Sequence, residues 1–378
     1  MGKFLFLFFK LIILEEYLDF FKNKTILVTG GVGTVGKEII KQVIQFSPKE
    51  IRVIDNNKSG VFFLEEQFGQ SYRAYANGEN PTSSSFHAYV GDIKDPDKLN
   101  RKMQGVDIVI HAAALKHVIL CEKSPFDAVQ TNILGVKNII NAAILNNVER
   151  VIFTSSDKAV NPTSVMGTSK LMGERLISAA NSLRFGKRTI LSSTRFGNVI
   201  GSRGSVAQIF YNQIMAGGPV TLTDKKMTRF VMTVEESVNL VLQSSILAKG
   251  GEVFITKMPV IKIDDLANAM IEILAPKISK SPKDIKIIEI GVKAGEKLYE
   301  ELMSSEETRR TVELKDLYSV TPAFDCVYED IQYNYPNIIN KRINNPYNSA
   351  TEKTMTKEEI KAYFLEHKIL DKLSKENL

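Results

Sequence analysis

From Thr25 onward, short apolar runs alternate with longer segments of helical period. Thr25–Thr29, Ile51–Asp55, His87–Val90, Asp107–His111, Arg150–Ser155 and Thr189–Thr194 read as strands. Between them, Val35–Phe46, Lys98–Met103, Pro125–Asn146 and Val165–Arg184 carry helical spacing. Strand–helix alternation at this pitch predicts an α/β fold with a parallel, doubly wound sheet and right-handed crossovers. From about Gly197 the rhythm loosens. Helices near Val206–Ala216, Val234–Ala248 and Ile263–Leu274 alternate with late strands and predict a smaller C-terminal lobe. The tail from Ser304 is polar, rich in Tyr and Asn, and reads as irregular until a helix near Lys357–His367. No internal repeat or low-complexity segment interrupts the pattern.

The start of the chain departs from this rhythm. Phe4–Leu14 (FLFLFFKLIIL) is almost wholly apolar but is interrupted by Lys10, and it is too short to span a bilayer comfortably. No small-residue cleavage site follows, which argues against a secretory signal. Three readings stay open: a helix packed on the domain or on a second subunit, a start codon placed too early, or peripheral membrane contact. In the last, Lys3, Lys10, Lys22 and Lys24 would meet anionic headgroups.

Hydrophobic content of 44% and charged content of 24% are ordinary for a soluble globular protein. The net charge of +6 is spread along the chain, with no basic run interleaved with aromatics, so no nucleic-acid partner is expected. A polyanionic small ligand suits the charge equally well. Cys121 and Cys326 are far apart and form neither a disulfide framework nor a metal-ligand pattern, so a cytoplasmic location and no metal are expected.

The first predicted strand runs directly into Gly30-Gly31-Val32-Gly33-Thr34-Val35-Gly36. Gly30, Gly33 and Gly36 would let the backbone turn tightly and approach a pyrophosphate seated on the helix N-terminus at Thr34 and Val35. Asp55 ends the second strand about 20 residues later, where a carboxylate can accept from ribose hydroxyls. Together they predict a Rossmann-type dinucleotide site. Asp55 favours NAD over NADP, because a 2′-phosphate would meet its charge; Lys58 could neutralise such a phosphate but reads as an ordinary loop lysine. Asp92 and Ile93 follow the third strand and are placed to hold the adenine. Ala112 and Ala113, after the fourth, would let the backbone pass close to the cofactor.

The segments HAAALKHV (His111–Val118), SSDKAVNPTSVMGTSK (Ser155–Lys170), FGNVIGSRGSV (Phe196–Val206), LTDKKMTRFVMT (Leu222–Thr233) and GEKLYEEL (Gly295–Leu302) resemble the extended short-chain dehydrogenase/reductase superfamily. Within it the chain is similar to the UDP-N-acetylglucosamine 4,6-dehydratases of polysaccharide biosynthesis, over roughly Lys24 to Met303. Met166 stands where the superfamily carries the tyrosine of Tyr-x-x-x-Lys, and a thioether cannot titrate. The resemblance includes a methionine-bearing subgroup. It therefore implies a relocated acid–base function and not a dead enzyme.

The resemblance implies a redox-neutral dehydration with NAD as cofactor, homo-oligomerisation and a UDP-sugar substrate. Asp157 would be the acid for the departing carbon 6 hydroxyl and Lys158 the base for the carbon 5 proton. Ser156 would relay the carbon 4 proton, Lys170 would bind the nicotinamide ribose, and Met166 would touch the sugar or simply belong to the core. As acid, Asp157 needs a raised pKa, and as base Lys158 a depressed one. Their opposite charges push the other way, so the pair would share one proton. Asn198 matches the residue aimed at the sugar diphosphate. Arg203 and Arg229 are phosphate candidates or surface ion-pair residues, Glu296 would hold the uridine, and Lys116 approaches the sugar or stays an ordinary loop lysine. Lys293-Ala294 stands where Arg-Pro is commoner. The alternatives are a UDP-sugar 4-epimerase and a catalytically silent nucleotide-binding scaffold. The organisation expected is an apolar helix over 1–23, the NAD-binding domain over 24–196, the interleaved nucleotide-sugar lobe over 197–303 and an extension over 304–378.

Overall fold

The computed structural model describes residues 15–69, 85–182, 189–202, 204–292, 295–324 and 331–375. Six parallel strands form its centre: β1 (Thr25–Thr29), β2 (Glu50–Asp55), β3 (Ser85–Val90), β4 (Ile108–His111), β5 (Arg150–Ser156) and β6 (Ile190–Phe196). Their spatial order is β6-β5-β4-β1-β2-β3. The order reverses between β1 and β4, and the crevice above that switch point is where such sheets bind ligands. All five residues of β1 are buried, as a central parallel strand covered on both faces requires. The helix Thr34–Val43 packs Ile39, Ile40 and Val43 onto the sheet and ends in a short 3-10 turn over Ile44–Phe46.

Two expectations change. The region read as one helix over Pro125–Asn146 is broken into Pro125–Ala128, a π-helical turn Val129–Leu134, and Gly135–Leu145. Asn132 lies in the π turn, where its amide donates to Leu115 O and Ser169 Oγ while Oδ1 accepts from Leu115 N. These contacts fix the loop after β4 against the helix Val165–Ser182.

The tail is the second correction, because it is not irregular. Val253–Thr256 pairs parallel to β6, and Leu317–Val320, Thr311–Leu314 and Ile338–Asn340 then extend the same sheet antiparallel to ten strands. The helices Lys357–Glu366 and Ile369–Lys375 instead cover the smaller lobe, burying Ile360, Phe364, Ile369 and Leu373 among Phe210, Leu266 and Met270. That lobe is built on the short strands Asn198–Val199, Thr228–Met232 and Val260–Lys262.

Residues 15–21 are helical, with Tyr17 and Phe21 buried against Phe46, and Tyr17 OH donates to Asn239 Oδ1 at 2.7 Å. This part of the N-terminal segment packs on the domain. Phe4–Leu14 lies outside the described residues. Among the described residues no helix is long and apolar enough to cross a membrane.

Candidate active site

A cavity of about 710 Å³ lies over the C-terminal ends of the central strands. Gly30, Gly33, Thr34, Val35, Gly36, Asp55, Asp92, Ile93, Ala112, Ala113 and Lys170 all line it. Gly30 has φ +74°, and a Cβ there would stand 2.6 Å from Ala113 N. A Cβ on Gly36 would stand 2.2 Å from Gly30 O. Gly33 differs: only Gly30 O, at 3.3 Å, comes within 4 Å of the place its Cβ would take. A side chain there would fill the space in which the helix N-terminus faces the cavity.

Asp55 accepts from Val32 N at 3.0 Å and Asn57 N at 2.9 Å, so the carboxylate is held at the cavity wall by its own loop. Ser155 Oγ is buried on the cavity lining without a protein partner. The glycine loop, the held carboxylate and this unpaired hydroxyl fit a dinucleotide.

Lys170 rises from the helix Val165–Ser182 and donates to Thr154 O at 2.8 Å, 4.7 Å from the Phe153 ring centroid. Burial pulls its ammonium down to about 8. Met166, one turn earlier, is buried beside Cys121 and Ala128 and also lines the cavity. His111 sits at the end of β4, bonded through Nδ1 to Thr29 Oγ1 at 2.6 Å. Burial, helped by the charge of Lys170, pulls its pKa down to about 3 and keeps it neutral.

A second cavity, of about 400 Å³, opens between the sheet and the smaller lobe. Lys116, Asn198, Arg229 and Glu296 line it, while Arg203 lies outside the described residues. Asp157 and Lys158 line both cavities, as do Lys116 and Asn198. The two chambers therefore meet at the turn that follows β5. Ser156 caps that turn: its hydroxyl accepts from Lys158 N and donates to Asp157 Oδ1 at 2.5 Å.

The charges at this junction correct two expectations. Asp157 is buried, and burial alone would raise its pKa. The Lys158 charge and hydrogen bonds from Glu300, Ser156 and Lys158 outweigh burial and hold the carboxyl below its ordinary value. Lys158 is not depressed either: burial pulls it down, but Asp157 and Glu300 hold it above the ordinary lysine value. Its Nζ stands 3.2 Å from Asp157 Oδ2 and 3.2 Å from Glu300 Oε1.

The raised carboxyl is Glu300, pushed to about 7 by burial and by Asp157, against Lys158 and Arg229. Sequence reasoning missed it. It lies within GEKLYEEL, the motif in which Glu296 reads as the uridine partner.

Of the two roles open to Arg229, phosphate partner or surface ion-pair residue, the structure shows an ion pair, at a largely buried position. Its Nε lies 3.2 Å from Glu300 Oε1, and its other nitrogens donate to Thr228 O, Leu298 O and Lys297 O. In this geometry the guanidinium clamps the 297–300 segment and does not stand free for phosphate. Asn198 donates to Phe230 O and Glu300 Oε2. Behind the site, Arg195 is buried between Glu174 and Glu307 and donates to Leu302 O, tying the segment that follows Glu300 to the Lys170 helix.

A doubly wound sheet with a glycine-loop cavity that meets a second chamber at Asp157 and Lys158 defines a Rossmann-type protein of the extended short-chain dehydrogenase/reductase superfamily. The chain belongs to the polysaccharide biosynthesis protein family, which it matches over residues 26–322. It is 46% identical over 349 residues to the uncharacterized membrane protein MJ1061 of Methanocaldococcus jannaschii, covering 92% of this chain and 97% of that one. It is 38% identical to a UDP-N-acetylglucosamine 4,6-dehydratase (inverting) of Campylobacter jejuni, over 82% of this chain and 86% of the relative. A UDP-glucose 4-epimerase of Rickettsia canadensis is 39% identical, over 79% and 83%. The crystal structure of Pen from Bacillus thuringiensis superposes with a TM-score of 0.82 at 39% identity, covering 93% of this chain and 99% of that one. These likenesses place the chain among nucleotide-sugar enzymes of the dehydratase/epimerase type.

Proposed function

We propose that the chain is an NAD-dependent UDP-N-acetylglucosamine 4,6-dehydratase serving glycan synthesis, with a UDP-2-acetamido-2,6-dideoxy-4-hexulose as product. The observation that carries this reading is the position of Asp157 and Lys158 at the junction of the two cavities, where a nicotinamide and a sugar would meet. When bound, NAD takes hydride from sugar carbon 4 and returns it to carbon 6. Oxidation at carbon 4 acidifies the carbon 5 proton. Asp157 then protonates the departing carbon 6 hydroxyl and Lys158 takes the carbon 5 proton. Ser156, whose hydroxyl donates to Asp157, would relay the carbon 4 proton. Lys170 keeps the cofactor cavity positive, and Met166 offers the sugar a polarisable, non-titrating contact.

Asp55 supports NAD over NADP, since its carboxylate would face a 2′-phosphate. Lys116, Asn198 and Glu296 line the sugar-nucleotide chamber. Exposed Leu120, Phe126 and Met172 support self-association, which sedimentation would test. The work would take place in the cytoplasm, with the N-terminal segment on the domain, on a second subunit or on the membrane surface.

The test is incubation with UDP-N-acetylglucosamine and mass spectrometry for loss of one water. Unchanged substrate with NAD bound would sink the reading. The second reading, a 4-epimerase, draws on the epimerase-named relative. It predicts a product of unchanged mass, and Met166 in place of a titratable tyrosine speaks against it.

A further inference from the structure

The dehydration just proposed needs Asp157 neutral and Lys158 uncharged before the sugar can lose water. The structure holds them as an ion pair, which is the opposite arrangement. The residue able to convert one into the other lies in the same cluster. Glu300 is buried, lines the sugar chamber and stands 3.2 Å from Lys158 Nζ. It is also a hydrogen-bond partner of Asp157. Asn198 donates to its Oε2 at 2.5 Å, Arg229 Nε stands 3.2 Å from Oε1, and its backbone N–H donates to Ser349 Oγ. A carboxyl held by Asn198 and Arg229, on a backbone anchored to Ser349 and facing both members of the ion pair, is not a solvated loop glutamate.

We propose that Glu300 is the proton relay of the site, passing a proton to Asp157 and taking one from Lys158 before the elimination. This rests on the dehydratase reading and assigns the step that reading leaves open.

The protons balance. In the structure Asp157 is the anion, Glu300 carries the shared proton and Lys158 is an ammonium; passing the shared proton to Asp157 leaves Asp157 neutral and Glu300 anionic. Transfer from Lys158 to Glu300 leaves two neutral carboxyls and a neutral amine. Asp157 then gives its proton to the carbon 6 hydroxyl, the C6–O bond breaks and water leaves. The C5–H bond breaks as its proton passes to Lys158, and its electron pair becomes the new C5–C6 double bond. The cluster now holds anionic Asp157, neutral Glu300 and the Lys158 ammonium. That is the starting arrangement; the proton that carbon 5 regains as hydride returns to carbon 6 matches the one the carbon 4 hydroxyl gave up, so the protein neither gains nor loses a proton.

Electrostatics favour this order. Two carboxyls in contact in a buried site do not both ionise easily, so they hold a proton between them near neutrality. The titratable groups facing Glu300 are Asp157 and Lys158 from the turn after β5 and Arg229 from the Thr228–Met232 strand. Lys158 is held in its charged form by Asp157 and Glu300 alone; burial and Arg229 both act against the charge. Once both carboxyls are neutral, only those two opposing influences remain, and the amine becomes a base.

The experiment has two arms. In the first, the intact protein with ¹³C-labelled carboxyls and no substrate is titrated by NMR. One carboxyl is expected to titrate near pH 7, to vanish in E300Q and to move in D157N. Carboxyls titrating only in the ordinary Asp/Glu range would overturn the proposal whatever reaction the protein catalyses. In the second, E300Q is expected to lose about 10²-fold in dehydration kcat with KM little changed, the scale of one acid–base contribution. E300D should recover part of the rate. Wild-type kcat and an unchanged pH profile in E300Q would also overturn the relay. A wild-type protein that shows the shared proton but no water loss would instead remove the dehydratase reading, and with it the relay's role in catalysis.

Discussion

The side-chain amide of Asn198 donates to Oε2 of Glu300 at 2.5 Å, across 102 positions of the chain. It joins the first residue of the smaller lobe's short strand to the carboxyl that faces Lys158. The same amide donates to Phe230 O. Asn198→Ala removes both bonds and is expected to cost about 1.5–3 kcal/mol, the range for hydrogen bonds to charged groups. Urea unfolding would show this as a lower midpoint. Asn198→Asp brings a carboxylate against Glu300 and should lose more stability at pH 8 than at pH 5.

The glycine loop separates fold from ligand. Gly36→Ala drives a methyl into Gly30 O and is expected to destabilise the chain by about 1–3 kcal/mol or more. Gly33 has φ −65° and meets only Gly30 O, at 3.3 Å, so Gly33→Ala should lower the melting temperature much less than Gly36→Ala. Its methyl would stand where a pyrophosphate approaches, and NAD affinity by calorimetry is expected to fall at least about 10-fold, or about 1.4 kcal/mol. Equal NAD affinity in Gly33→Ala would refute the assigned role of the loop.

Met166 lines the cofactor cavity and carries no titrating group. Met-to-Leu exchange conserves volume and costs under about 1.5 kcal/mol. Met166→Leu should therefore keep dehydration within about 10-fold of wild type, since a tenfold rate change is about 1.4 kcal/mol of barrier. Asp157→Asn and Lys158→Ala are each expected to abolish water loss while binding NAD normally. Turnover by mass spectrometry distinguishes the three variants.

Arg195, fully buried, is held by Glu174 and Glu307. Arg195→Met leaves two buried carboxylates uncompensated and is expected to cost about 3–5 kcal/mol. Chemical denaturation measures it directly.

Glu307 gives the acid limb its sign. Burial alone would raise its carboxyl, but the charge and hydrogen bonds of Arg195 bring it down to about 2. An unfolded glutamate titrates near about 4.3. The unfolded chain thus binds the proton first as pH falls. Stability from this group is complete above about pH 4.5 and disappears toward about pH 2. Circular dichroism of Glu307→Gln should show that part of the acid slope missing; an unchanged slope would refute the assignment.

The alternation of apolar runs from Thr25 to Thr194 was enough to read the parallel sheet, because a strand covered on both faces must be apolar along its length. That the glycine loop, Asp55, Asp92 and Lys170 line one cavity was equally legible, since each sits at a position set by its own strand or helix. Neither the edge strands at 311–340 nor the π turn at Asn132 could be read this way. Half-buried edge strands tolerate polar residues, and the π turn is held by Leu115 and Ser169 from other elements. The protonation pattern was the least legible of all. Asp157 and Lys158 were visible as a pair. But the two act on each other and on Glu300 and Arg229, which only the closure of the smaller lobe onto the sheet brings within 3.2 Å of Lys158 and of each other, respectively. Local periodicity determines which face of an element is buried. A pKa is a sum over every charge in space, and only the tertiary structure decides that sum.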